Sequence, residues 1–195
     1  MKIAIIESGG NVQSLKKILN FSGFETFIVN SSENINDFNI YILPGIGSFD
    51  NPLNKLKDLS LLEFFSKPSN FEKKKLIGIC SGMQILFDKS EEGEQNGLSL
   101  IPGNVKRFKD IKYKIPHMGW NYLKTENLPF SLKNKKFYFA HSYYIDCDEK
   151  YVLSYCNYDI NFPAIVNKKN IWGIQFHPEK SHLNGVELFK NIINK

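Results

Sequence analysis

The run "LIGICSGMQIL", residues 76–86, ends an apolar stretch in a cysteine. Cys80 lies between Gly78 and Gly82, the Gly-x-nucleophile-x-Gly spacing of a strand-to-helix elbow. The requirement is steric. A nucleophile held on a sharp turn needs neighbours without side chains, because two backbones cross there at close range. A helix starting just after the cysteine aims its first amides at the sulfur and at any oxyanion formed beside it, with the Ser81 N–H as the natural donor. The alternative for Cys80 is a small buried hydrophobe at the end of a core strand.

A thiol that attacks an amide needs a base, which later protonates the leaving amine. "IWGIQFHPEK" supplies one. His177 ends an apolar run and Glu179 follows two residues later. In extended chain these two side chains point the same way. The Glu179 carboxylate then fixes the imidazole tautomer, and the other ring nitrogen faces Cys80. Pro178 stiffens the link. Of the remaining histidines, His182 reads as a solvated helix-start residue. His141 in "FAHSYY" ends a further strand and could line a site. His117 in "PHMGWN" falls in a Pro/Gly-broken stretch with Trp120, either core or a partner-facing surface. "LPGIGSF" ends another apolar run, and its glycines let a backbone amide turn toward a ligand. Gly45, Ile46 and Gly47 are therefore candidates for a second oxyanion donor.

These residues need elements to hold them. "KIAII", "ETFIVN", "IYIL" and "LIGI" read as near-continuous apolar strands. A helix from about Asn11 carries Val12, Leu15 and Leu19 on one face and stops at Gly23. Apolar strands separated by helices indicate a parallel sheet buried on both faces. A helical region spans about 53–65, and a short helix follows the cysteine to about Phe87. The second half adds strands near 105–108, 137–140, 151–155, 163–167 and 171–176. A final helix from about 182 to 193 directs Leu183, Val186, Phe189 and Ile193 to the core. The expected fold is one α/β domain over residues 1–195, a mostly parallel central sheet flanked by helices, with extra strands in its second half. "LPGIGSF", "GICSG" and "QFHPE" all fall at strand ends, where such sheets place their sites.

Composition bounds the reading. The chain has 195 residues, is 42% hydrophobic and 23% charged, and carries a formal net charge of +5. These are values of an ordinary globular protein with a sizeable core. No run approaches membrane-span length, and "MKIAIIESGG" turns polar too early for a signal peptide, so a cytoplasmic protein is expected. The three cysteines, Cys80, Cys147 and Cys156, form neither a disulfide framework nor a zinc pattern, so no metal is expected. Arg107 is the only arginine, which counts against nucleic-acid readout by arginine forks.

In order along the chain, "GGNVQSL", "PGIGSF", "GICSGMQIL", "SEEGEQNGLSLIPG", "PHMGWN", "FYFAHSYY" and "QFHPEKS" resemble the class I, triad-type glutamine amidotransferases. Within these the likeness is to the glutaminase subunits of imidazole glycerol phosphate synthase, from histidine biosynthesis. The resemblance implies Cys80 as nucleophile, His177 as base and Glu179 as its orienter. It implies that Gln84 and Glu92, with the backbone of His141, Ser142 and Tyr143, hold the substrate L-glutamine. "PGIG" resembles the family's oxyanion strand. Asn11, Trp120, Tyr138 and Lys180 match positions near the partner interface and the ammonia passage. The implied partner is a separate (β/α)8-barrel cyclase subunit, and no cofactor is implied. Ser81 stands where the family often has leucine, and Glu7 and Ser8 also depart from the commoner pattern. A paralogous glutaminase feeding another synthase, such as a sugar-modifying one, and a stand-alone cysteine hydrolase of the same fold are the alternatives.

Overall fold

The structure is a computed structural model describing residues 1–125, 128–132 and 134–194. Its first half alternates strands and helices: β1 (Ile3–Ile6), α1 (Val12–Phe21), β2 (Thr26–Val29), β3 (Ile40–Gly45), α2 (Asp50–Asp58), α3 (Leu62–Phe65), β4 (Lys75–Cys80) and α4 (Ser81–Gln84). Its second half is mostly strand: β5 (Lys89–Ser90), β6 (Asn104–Arg107), β7 (His117–Lys124), β8 (Lys136–His141), β9 (Tyr143–Asp146), β10 (Val152–Tyr158), β11 (Ile160–Lys168) and β12 (Ile171–Ile174), then α5 (His182–Ile193).

One large sheet has the order β2-β1-β3-β4-β12-β11-β10-β7-β8. Strands β2 to β12 run parallel, as their unbroken apolar sequences require. From β12 outward the pairing turns antiparallel. A smaller sheet pairs β5, β6 and β9. Core clusters fill both faces of the large sheet. Leu53, Leu56 and Phe65 of α2 and α3 close one face. Leu15 and Leu19 of α1 close the other, with Leu188, Phe189 and Ile192 of α5.

The antiparallel half curls. Although β8 is the far edge of the sheet, Tyr138 in β8 forms a bridge with His177, just beyond β12. The His177 amide donates to the Tyr138 carbonyl at 2.8 Å. Ser181 Oγ ties both partners, donating to the His177 carbonyl at 2.7 Å and accepting from the Tyr138 amide at 3.1 Å. The curl brings the outermost strand back over the carboxyl ends of the parallel strands.

Three sequence expectations change. The helical region at 53–65 is two helices, because Ser60 takes a left-handed φ of 56° that ends the first. Leu183 does not face the core: it is 70% exposed, and Val186 is only half-buried. The cause is Gly185, where any Cβ would collide with the Pro178 carbonyl. Helix α5 seats on that carbonyl through Gly185, and the rotation this sets buries Leu188 and Ile192 beside the expected Phe189 and Ile193. Strands β5, β7 and β9 have no counterpart among the strands expected from sequence.

Candidate active site

Strands β3 and β4 are parallel neighbours in a register that sets Gly45 beside Cys80. The expected elbow and the "PGIG" turn thus lie side by side at the carboxyl edge. Cys80 has φ 55° and ψ −118°, a strained conformation for a residue with a side chain. The glycines give the backbone room to hold it. A Cβ on Gly82 would collide with the Leu43 carbonyl oxygen, and one on Gly78 would approach the Gly82 carbonyl to 2.5 Å. Helix α4 begins at Ser81, directly after the sulfur-bearing residue.

His177 Nδ1 lies 2.8 Å from Glu179 Oε1. The route differs from the extended chain expected: Pro178–Lys180 form a 3-10 turn, which folds the carboxylate back onto the ring. The remaining ring nitrogen is left for Cys80, which shares the same cavity. Burial disfavours the charged ring. Hydrogen bonding and charge attraction from Cys80 outweigh it, with Glu179 adding to them, and push the His177 pKa up to about 10. The ring is a strong base, and its cation is stabilised on both sides. Cys80 Sγ is also 3.9 Å from the Ala140 carbonyl.

Cys80 and His177 open onto a cavity of about 320 Å³. Ile46, Gly47, Ser81, Gln84, Glu92, His141, Ser142, Tyr143 and Lys180 also line it. Gly45 lies beneath, packed so closely on Ser81 and Gly82 that no side chain fits there. Ile46 is 54% exposed at the mouth. Glu92 reaches the cavity from the loop after β5, its Oε2 accepting from the Phe49 amide at 2.8 Å. Burial pushes the Glu92 carboxyl up, and that amide partly offsets the effect. Gln84 Nε2 donates to the Tyr143 carbonyl and to Gln175 Oε1, both at 3.2 Å. Both amide hydrogens are therefore used, which leaves the Gln84 carbonyl oxygen as its acceptor. A carboxylate and an amide oxygen on one wall suit an α-ammonium group.

Of the residues expected toward a partner, Trp120, Tyr138 and Lys180 cluster. Trp120 lies edge-on to Tyr138 at 6.0 Å, and Lys180 Nζ stands 5.5 Å above the Tyr138 ring. His182 joins them, stacked on Trp120 at 5.4 Å. Asn11 acts locally, its Oδ1 capping α1 through the Ser14 amide at 3.0 Å. Sequence reasoning missed His117 as a neighbour of this site. Its Nδ1 lies 3.1 Å from His141 Nε2. Among the described residues no cluster of side chains has the makings of a metal site, and no helix is long and apolar enough to cross a membrane.

Known proteins resemble this chain in sequence and fold. The family model for "Glutamine amidotransferase class-I" matches residues 4–195. "Imidazole glycerol phosphate synthase subunit HisH 2" of Methanococcus maripaludis is 45% identical, over 99% of both chains. The subunit HisH of Leptospira borgpetersenii is 42% identical, over 97% of this chain and 98% of its own. A crystal structure of a glutamine amidotransferase superposes with a TM-score of 0.80 at 18% identity, covering 98% of this chain and 97% of that one. PurLQS from Thermotoga maritima gives 0.73 at 22%, over 99% of this chain and 97% of its own, and these two likenesses concern the fold alone. The chain belongs to the class-I glutamine amidotransferase family and, within it, to the imidazole glycerol phosphate synthase HisH subunits.

Proposed function

We propose that this chain hydrolyses glutamine to glutamate and ammonia, as the glutaminase subunit of imidazole glycerol phosphate synthase in histidine biosynthesis. The observation that carries the reading is the hydrogen-bonded His177–Glu179 pair beside Cys80, on a cavity that Glu92 also lines. His177 takes the Cys80 proton, and the sulfur attacks the carboxamide carbon. The oxyanion is held by the Ser81 N–H and by an amide of the Gly45–Ile46–Gly47 turn. His177 returns the proton to the departing nitrogen, releasing ammonia and leaving a γ-glutamyl thioester. Water then gives a proton to His177 and attacks the thioester carbon. The thiol leaves, reprotonated by His177, and glutamate is freed. Glu179 holds the ring tautomer and stabilises the imidazolium in both halves.

Glu92 and the Gln84 carbonyl oxygen take the α-ammonium, which selects free glutamine over a γ-amide within a peptide. The backbone of His141, Ser142 and Tyr143 borders the same substrate. The ammonia passes to a separate (β/α)8-barrel cyclase subunit in the cytoplasm. Exposed apolar side chains near the cavity mouth support a partner there: Ile46 at 54%, Met118 at 64% and Trp120 at 44%. Asn11, Tyr138 and Lys180 fall to the same interface and ammonia passage.

The test measures glutamine hydrolysis by the chain with and without a cyclase subunit. Wild type is expected to be slow alone and strongly stimulated in the complex, because an oxyanion donor out of place costs roughly 3 kcal/mol. Cys80→Ala should lose the activity while keeping the fold. Turnover in Cys80→Ala, or full activity without the cyclase, would overturn the assignment.

A further inference from the structure

The His117–His141 contact belongs to a longer chain, buried at its two histidines, with one direction. At one end, Asn121 Oδ1 accepts from the Tyr122 amide at 2.8 Å, which turns Asn121 Nδ2 toward other acceptors. Nδ2 donates to the Asn157 carbonyl at 2.9 Å and lies 3.5 Å from His117 Nε2. At the other end, His141 Nδ1 lies 2.7 Å from the Tyr143 carbonyl, an obligate acceptor. His141 must carry its proton on Nδ1, so its Nε2 accepts. His117 must then carry its own proton on Nδ1, and its Nε2 accepts from Asn121. Every link is satisfied by one tautomer of each ring.

Both rings are held in this state. His117 is 3% and His141 6% exposed. His117 is stacked on Tyr158 at 4.0 Å and on Phe139 at 4.7 Å, so it cannot turn. Burial pushes the His117 pKa down to about 4 and that of His141 to about 3, with His177 as a further charged neighbour of His141. A second proton on either ring would set two N–H groups against each other. His117 also lines a separate surface cavity of about 400 Å³ with Trp120, Asn121 and Tyr158, outside the one that holds Cys80. The hydrogen-bonded chain therefore runs from that outer cavity to the active-site wall.

Its inner end matters because the Tyr143 carbonyl accepts twice, from His141 and from Gln84. Only Ser142 separates β8 from β9 at this corner. We propose that His117, through His141, is a positioning residue for substrate binding: it fixes the Tyr143 carbonyl and, by way of it, the Gln84 amide that presents its oxygen to the substrate. The proposal rests on the glutaminase reading given above.

The experiment compares wild type, His117→Phe and His117→Asn in complex with the cyclase subunit. Phenylalanine keeps the stack and removes the donor, leaving His141 Nε2 unpaired. Asparagine places an N–H near the former Nδ1. KM for glutamine should rise roughly tenfold in His117→Phe, the worth of one ordered hydrogen bond, with kcat little changed. It should return to within about threefold of wild type in His117→Asn. An unchanged KM in His117→Phe, or a loss confined to kcat, overturns the proposal. Nitrogen-15 spectra of the wild-type imidazoles supply a test independent of any variant's folding. Both rings should show Nδ1–H with Nε2 unprotonated from about pH 6 to 8, the range where free histidine titrates. A His141 ring protonated on Nε2, or titrating there, also overturns it. A wild-type complex without glutaminase activity would refute the function itself, whereas an active wild type with these negative results refutes only the role of His117.

Discussion

His177 and Glu179 meet at 2.8 Å with side chains only 5% and 3% exposed, and a 3-10 turn rather than a strand joins them. The second carboxylate oxygen, Oε2, is buried without a hydrogen-bond partner. Its negative charge is left to act on the imidazolium. Glu179→Gln preserves an acceptor for Nδ1–H and removes that charge. The kcat of partner-stimulated glutaminase should fall by roughly two to four orders of magnitude, with little change in the denaturation midpoint. Retained kcat would exclude Glu179 as the orienter.

The elbow has no room for side chains at its glycines. A Cβ at position 82 meets the backbone of Leu43, which cannot rotate away. Gly82→Ala should lower stability by roughly 2–3 kcal/mol, with loss of activity, as the backbones of β3 and α4 are forced apart. Urea unfolding measures it, and a neutral result would mean that the crossing is looser than the structure has it.

Ser81 carries a buried hydroxyl with no hydrogen-bond partner, pressed against Gly45. Its backbone, not its side chain, serves the proposed oxyanion site. Ser81→Ala removes the unpaired group and should raise stability by about 1 kcal/mol. A stability loss of similar size would instead show that the hydroxyl finds a partner in solution.

Acid should weaken the fold through the buried histidine pair. The folded pKa values of His117 and His141 lie near 4 and 3, below the ordinary value of about 6.5. Below 6.5 the unfolded chain binds protons that the folded one refuses, so stability falls as pH falls toward 4. The slope approaches about 1.4 kcal/mol per pH unit for each ring. His177 acts oppositely. Its pKa is raised to about 10, so its contribution is complete below 6.5 and is lost as pH rises through 10. Urea midpoints at pH 7 and pH 5 test the acid arm, where His117→Asn should show about half the wild-type loss. An equal loss in both proteins would mean that His117 plays no part in it.

The residues proposed for the chemistry could be picked out in the sequence because each is tied to a local rule. Cys80 needs glycines two before and two after it, and His177 needs a carboxylate within one turn. The parallel strands announced themselves as unbroken apolar runs. Strand β7 did not, because its alternation is inverted. Met118, Trp120 and Tyr122 face outward at 64%, 44% and 52% exposure, while the polar His117 and Asn121 point inward. A pattern that seeks apolar residues on the buried side cannot find such a strand. Leu183 misled in the converse way. Its helical spacing fits a core face, but close packing at Gly185 sets the rotation of α5.

By itself, then, the sequence determined which groups are proposed to attack an amide, and which strands and turns present them. Those choices depend on backbone sterics and hydrophobic period within a few residues. Tertiary structure alone decided what lies across from what. The curl of the antiparallel half brings Tyr138 onto His177, and the β7–β8 register sets His117 opposite His141. Such pairings join residues far apart in the chain. They follow from how the whole sheet twists and packs, which no local spacing encodes.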